Sequence, residues 1–127
     1  MSVRRLVLIA DDDEDILALV RATIERSGHE VMAVGDGAAA LSAMAERRPD
    51  LAVLDIAMPE LDGLEVLRRL RAEEGTRNLP VILLTAQAQA ADVERGFATG
   101  ASAYVRKPFS PRDLATRVDE LLAQPGL

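Results

Sequence analysis

Leu6-Val7-Leu8-Ile9-Ala10-Asp11-Asp12-Asp13-Glu14-Asp15-Ile16 passes without a spacer from an apolar run to a run of acids. A short apolar run with no in-and-out alternation reads as a strand covered on both faces, as in a parallel sheet. The acids that follow suit the start of a helix, where carboxylates meet unpaired backbone N–H groups. Ile16, Leu19, Val20, Thr23 and Ile24 then share one helix face, and Gly28 can end that helix. The stretch therefore predicts a strand, a loop carrying Asp11 and Asp12, and a helix.

The same sequence of elements recurs. Apolar runs stand at 31–34, 51–54, 81–84 and 103–105, and segments with helical spacing lie between them. Leu41, Met44 and Ala45 mark a second helix, and Leu64, Leu67 and Leu70 a third. Only Val93 and Phe97 anchor a fourth, at 90–99, while Leu114, Val118, Leu121 and Leu122 mark the last. Five strands alternating with five helices across short loops predict a doubly wound α/β sheet. The 127 residues suit one domain, 1–127, with its core at about 5–123.

Composition narrows the function. The formal net charge is −6, which argues against nucleic acid or an anionic membrane as a direct ligand. Cysteine is absent, which excludes disulfides, thiolate catalysis and zinc–cysteine sites and fits a reducing compartment. The apolar stretch near the N-terminus is too short for a signal peptide or a spanning helix, so a cytoplasmic location is expected.

In doubly wound sheets, ligands bind beyond the carboxyl ends of the strands. Asp11 and Asp12 follow the first apolar run, Asp55 the third, Thr85 the fourth, and Lys107 comes just past the fifth. Four strands thus bring three carboxylates, a hydroxyl and an ammonium to one rim. Crowded carboxylates repel unless a cation compensates, and a hard, oxygen-seeking Mg²⁺ (or Mn²⁺) fits them. Asp55 needs no general base to attack phosphorus, and in-line phosphoryl transfer depends on positioning and on neutralising the equatorial oxygens. Lys107 and Thr85 can take two of those oxygens. Lys107 is also the only lysine among 15 basic residues. A compact charge on a flexible stem suits one phosphate oxygen and one carboxylate better than a planar guanidinium does.

Leu8-Ile9-Ala10-Asp11-Asp12-Asp13, Leu54-Asp55-Ile56-Ala57-Met58-Pro59, Asp62-Gly63, Leu84-Thr85-Ala86 and Gly100-Ala101-Ser102-Ala103-Tyr104-Val105-Arg106-Lys107-Pro108-Phe109 together resemble the receiver domains of response regulators. The resemblance covers nearly the whole chain. It implies a flavodoxin-like fold with strand order 2-1-3-4-5 and Asp55 as phosphoacceptor. Asp12 would ligate Mg²⁺ directly, Asp11 largely through water, and the Ala57 carbonyl would be a further ligand beside Asp55. Thr85 and Lys107 would bind the phosphoryl group, small Ala86 would leave room for it, and the Lys107–Pro108 bond would be cis. Switching would couple Thr85 to an inward turn of Tyr104, changing the surface formed by helix 90–99, the fifth strand and the last helix.

The implied partners are a histidine kinase or histidine phosphotransfer protein and a downstream effector. No direct nucleic-acid or membrane binding is expected, and the chain would be a monomer or a weak phosphorylation-dependent dimer. It would be a signalling switch, not an enzyme with a separate substrate. With no output domain after Leu127, it is expected to be either a stand-alone receiver or one cut from a longer regulator. A haloacid-dehalogenase-type phosphatase would want an acid two residues after its nucleophile, and position 57 is alanine. An FMN carrier would want a hydroxyl- or glycine-rich loop where residues 11–15 are acidic. A degenerate, binding-only receiver would lack one of the five residues. His29, the only histidine, follows Gly28 in a turn and is expected to be exposed and inert.

Overall fold

In the computed structural model, which describes residues 4–86 and 98–123, the strands are β1 (Leu6–Ala10), β2 (Glu30–Val34), β3 (Leu51–Asp55), β4 (Val81–Thr85) and β5 (Ala103–Arg106). They form one sheet in the order β2-β1-β3-β4-β5, with every pairing parallel. Helices α1 (Glu14–Arg26), α2 (Gly37–Glu46), α3 (Gly63–Ala72) and α4 (Pro111–Ala123) connect or follow them, with a 3-10 turn at Glu74–Thr76. The helix expected at 90–99 falls mostly outside the described residues. Only Ala98 and Thr99 are described, and both are helical. Four complete α-helices therefore stand among the described residues where five were expected.

Alternate strand residues enter two separate core layers. Leu8, Ala10, Ala52, Leu54, Val81 and Leu83 face α2 and α3, meeting Ala40, Met44, Leu64, Leu67 and Leu70. Val7, Ile9, Leu51, Val53, Ile82 and Leu84 face α1 and α4, meeting Val20, Ile24, Leu114 and Val118. Both faces of the three central strands are buried, so β1, β3 and β4 carry nearly continuous apolar runs and show no alternation. Burying each large aliphatic side chain contributes about 2 kcal/mol. Leu19, expected on the inner face of α1, is 43% exposed. The stripe that packs runs through Val20, Thr23 and Ile24, with Ile16 and Leu17 half-buried at its start.

Aspartates start the first three helices. Asp13 accepts from the N–H groups of Asp15 and Ile16 at 2.9 and 3.2 Å, Asp36 from Ala39 at 2.7 Å, and Asp62 from Glu65 at 2.8 Å. Each satisfies N–H groups that a helix start leaves unpaired. Gly28, at φ +94°, closes α1 as a Schellman turn, with its N–H on Glu25 O at 2.9 Å and the His29 N–H on Ile24 O at 3.4 Å. That turn aims His29 inward. Its side chain is 10% exposed and its Nε2 lies 2.9 Å from Asp119 Oδ1 on α4, so the expectation of an exposed histidine is corrected. Among the described residues, no helix is long and apolar enough to cross a membrane.

Candidate functional site

The sheet register assembles the rim. Ala10 pairs with Leu54, so the residues that come next, Asp11 and Asp55, emerge from adjacent strands. Asp55 pairs in turn with Leu84, and Thr85 with Arg106. Asp55 and Thr85 are thus the last residues of β3 and β4, one position more strand-like than the apolar runs implied. Lys107 is tied to the same rim by its backbone N–H, which donates to Thr85 O at 2.7 Å.

The side chains converge. Asp11, Asp12 and Asp55 each offer a carboxylate oxygen, and these oxygens all lie within 4.8 Å of one another. Asp11 and Asp55 are buried, while Asp12 is exposed. Lys107 Nζ stands 2.9 Å from Asp11 Oδ2 and 3.3 Å from Asp55 Oδ1, bridging both buried acids. The Asp11 Oδ1 atom is occupied locally, accepting the Asp13 N–H at 2.9 Å.

The electrostatics are unbalanced. Burial pushes the Asp55 carboxyl up to about 6, the Asp11 charge adds to that, and Lys107 and the Ala57 N–H only partly offset it. Burial also works against the Lys107 ammonium, but the hydrogen bond to Asp11 and the charges of Asp55 and Asp11 outweigh it and raise its pKa. Two carboxylates about 5 Å apart repel by about 3 kcal/mol at an effective dielectric of about 20. Three carboxylates against one ammonium leave two negative charges, facing solvent through Asp12. An all-oxygen donor set with two uncompensated charges matches a hard dication.

The loop after β3 is built around the same point. A Cβ at Gly63 would lie 2.3 Å from the backbone oxygen of Asp55, so only glycine lets the start of α3 close on the strand end. Asp62 and Gly63 thereby become part of how Asp55 is held. Ala86 is exposed just past Thr85, and the Lys107–Pro108 peptide is cis. Tyr104 is half-buried in the layer shared with α2 and α3, opposite Leu83 in the register. Sequence reasoning gave Lys107 a single carboxylate partner, and the structure gives it two. Gln87, a flanking residue by sequence, lies outside the described residues.

Comparison with known proteins agrees with this geometry. Residues 7–119 match the model of the response regulator receiver domain. The DNA-binding response regulator MtrA of Mycolicibacterium smegmatis is 38% identical over 117 residues, covering 92% of this chain and 50% of MtrA. The chain spans about half the length of the curated relatives it matches. Among solved structures, the chemotaxis response regulator CheY4 of Vibrio cholerae superposes with a TM-score of 0.88 at 28% identity, covering 94% of this chain and 99% of that one. The receiver domain of a sensor histidine kinase from Pseudomonas aeruginosa, solved with a magnesium ion coordinated in its active-site cleft, gives a TM-score of 0.88 at 29% identity, covering 96% and 100%. With its sheet order, its acidic rim and its match over residues 7–119, the chain belongs to the response regulator receiver domain family.

Proposed function

We propose that Asp55 is the phosphoacceptor of this receiver. The observation that carries the reading is Lys107 Nζ set between Asp11 and Asp55 beside an under-compensated three-aspartate cluster. Asp11, Asp12 and Asp55, with the Ala57 carbonyl, would hold Mg²⁺, which when bound offsets charge on the phosphoryl oxygens. An Asp55 carboxylate oxygen attacks phosphorus as the phosphorus–nitrogen bond of a partner's phosphohistidine breaks, and the imidazole leaves with a proton. Lys107 then has a phosphoryl oxygen to bind in place of part of its contact with Asp55, and the Thr85 hydroxyl takes another. Ala86 leaves the space open.

Thr85 and Tyr104 lie on the same face of neighbouring strands, since Leu83, two residues before Thr85, is the register partner of Tyr104. Movement of the Thr85 hydroxyl toward the phosphoryl group would vacate space for the Tyr104 ring, a two-state element biased by local charge. The donor is a histidine kinase or histidine phosphotransfer protein in the cytoplasm. The reader is a downstream effector, either a separate protein or an output domain such as the curated relatives carry in their other half. The receiver would make no direct contact with nucleic acid or membrane. It would be a monomer or pair weakly on phosphorylation, and would turn over no substrate beyond its own acyl phosphate.

Acetyl phosphate with Mg²⁺ tests the site. Labelling of the wild type that disappears in Asp55→Asn, and on chelation of the metal, is the expected result; unchanged labelling of Asp55→Asn would remove Asp55 from the role.

A further inference from the structure

Arg71, in the last turn of α3, makes contacts that the site does not account for. Its Nε and Nη2 donate to Gly100 O at 3.0 and 2.8 Å, and its Nη1 to Thr76 O at 3.3 Å. One planar fork thus ties together the end of α3, the 3-10 turn and the residue that leads into β5. The side chain is half-buried, burial lowers its pKa, and no carboxylate partners it among the described residues. A guanidinium placed this way sacrifices solvation without gaining an ion pair among the described residues, which points to geometry as its use.

Gly100 fits the same reading. Its φ is +108°, a backbone conformation that side-chain-bearing residues rarely adopt, and a Cβ there would lie 3.0 Å from Arg71 Nε. Beyond it, Ala101 and Tyr104 pack into the layer shared with α2 and α3. The Ser102 N–H donates to Val81 O at 2.8 Å, and Ser102 Oγ accepts the Val81 N–H at 3.0 Å. Ser102 therefore fixes β5 to β4, whereas Arg71 alone of these contacts fixes the entry of β5 to a helix.

We propose that Arg71 is a positioning residue that staples the entry of β5 to α3, so that a charge event at Asp55 is resolved as movement of the Tyr104 side chain and not as a slide of the strand. This rests on the phosphoacceptor reading of Asp55. A bistable element needs a fixed frame, and without one the displacement spreads into backbone adjustment. Lysine cannot substitute, because one ammonium cannot hold two carbonyls with a rigid fork.

The chain supplies its own probe. Tyr104 is the only tyrosine and tryptophan is absent, so tyrosine emission reports this ring alone. With acetyl phosphate and Mg²⁺, Arg71→Gln is expected to label at Asp55 within about twofold of wild type, while its tyrosine signal change falls by about half or more. Arg71→Lys should fall with it, and Gly100→Ala should reproduce the loss from the other side of the contact. A labelled Arg71→Gln or Arg71→Lys with the full wild-type signal change would overturn the positioning role. A wild type that fails to label would instead overturn the phosphoacceptor reading. Hydrogen exchange without phosphate tests the staple by itself. Amides of residues 101–105 should exchange roughly tenfold faster in Arg71→Lys, and unchanged protection would also overturn the proposal.

Discussion

Two partly buried cations stand at different places in this fold, and they are held in opposite ways. Lys107 sits between two carboxylates, at 2.9 and 3.3 Å, in a rim where negative charge exceeds positive. Among the described residues, Arg71 faces carbonyl oxygens, those of Gly100 and Thr76, and no carboxylate. The ammonium balances charge, and in the proposed reaction it would exchange one carboxylate for a phosphoryl oxygen. The guanidinium has no carboxylate to balance among the described residues, and its fork binds two backbone carbonyls. The difference teaches that burial of a base does not by itself mark a reactive site; the number of acids around it does. Each cation also has its glycine. Gly63 lets backbone close on Asp55, and Gly100 lets backbone turn beneath Arg71.

The contrast can be broken most severely at Gly63. Gly63→Ala puts a methyl against the Asp55 carbonyl and should cost about 4 kcal/mol in urea unfolding, with loss of labelling, since backbone must move to admit it. Next comes Lys107→Met, which strands Asp11 and Asp55 and should cost about 3 kcal/mol at pH 7 without divalent cations. Much of that loss should return on acidification or on adding Mg²⁺, whereas the loss in Arg71→Met should stay nearly constant with pH. Equal pH dependence in the two variants would erase the distinction drawn between the cations.

The third test acts through Asp55 itself. Its folded pKa of about 6 lies above the ordinary 3.8, so the native state holds this proton more tightly than the unfolded chain does. The resulting stabilisation is fully present below pH 3.8 and is lost as pH rises through about 6. Asp55→Asn should therefore be more stable than wild type at pH 7 by about 2 kcal/mol without divalent cations, an excess that shrinks toward pH 4. A wild type and variant with parallel stability–pH curves would contradict it. Smallest of all is the link between His29 and Asp119, whose carboxylate side chain is 55% exposed. Asp119→Asn should cost only about 0.5 kcal/mol by thermal unfolding, as surface pairs usually do.

The central strands were legible in the sequence because their environment is uniform. Leu8 and Ala10 face one core layer and Val7 and Ile9 the other, so every position demands an apolar residue. The rim was legible for a related reason: a parallel sheet puts every strand's carboxyl end at the same edge, so Asp11, Asp55, Thr85 and Lys107 group together in the sequence itself. What stayed hidden depends on long-range approach. Leu19 matches the helical period as well as Leu17 does, and only the angle at which α1 lies on the sheet decides between them. His29 reads as a turn residue until the turn at Gly28 is seen to aim it at α4. Arg71 binds a backbone carbonyl 29 residues away, and carbonyls carry no signature in a sequence. Asp62 and Gly63 carry part of the family resemblance, but the close approach that makes the glycine necessary, 2.3 Å from a Cβ to the Asp55 backbone oxygen, is visible only in the fold.

The central claim is that Asp55 alone takes the phosphoryl group. Borohydride reduction of the acyl phosphate after treatment with acetyl phosphate and Mg²⁺, followed by peptide mass spectrometry, reads the modified position directly. The account predicts homoserine at position 55 and nowhere else. Homoserine at position 11 or 12, or an unmodified chain under conditions that label another receiver, would contradict it.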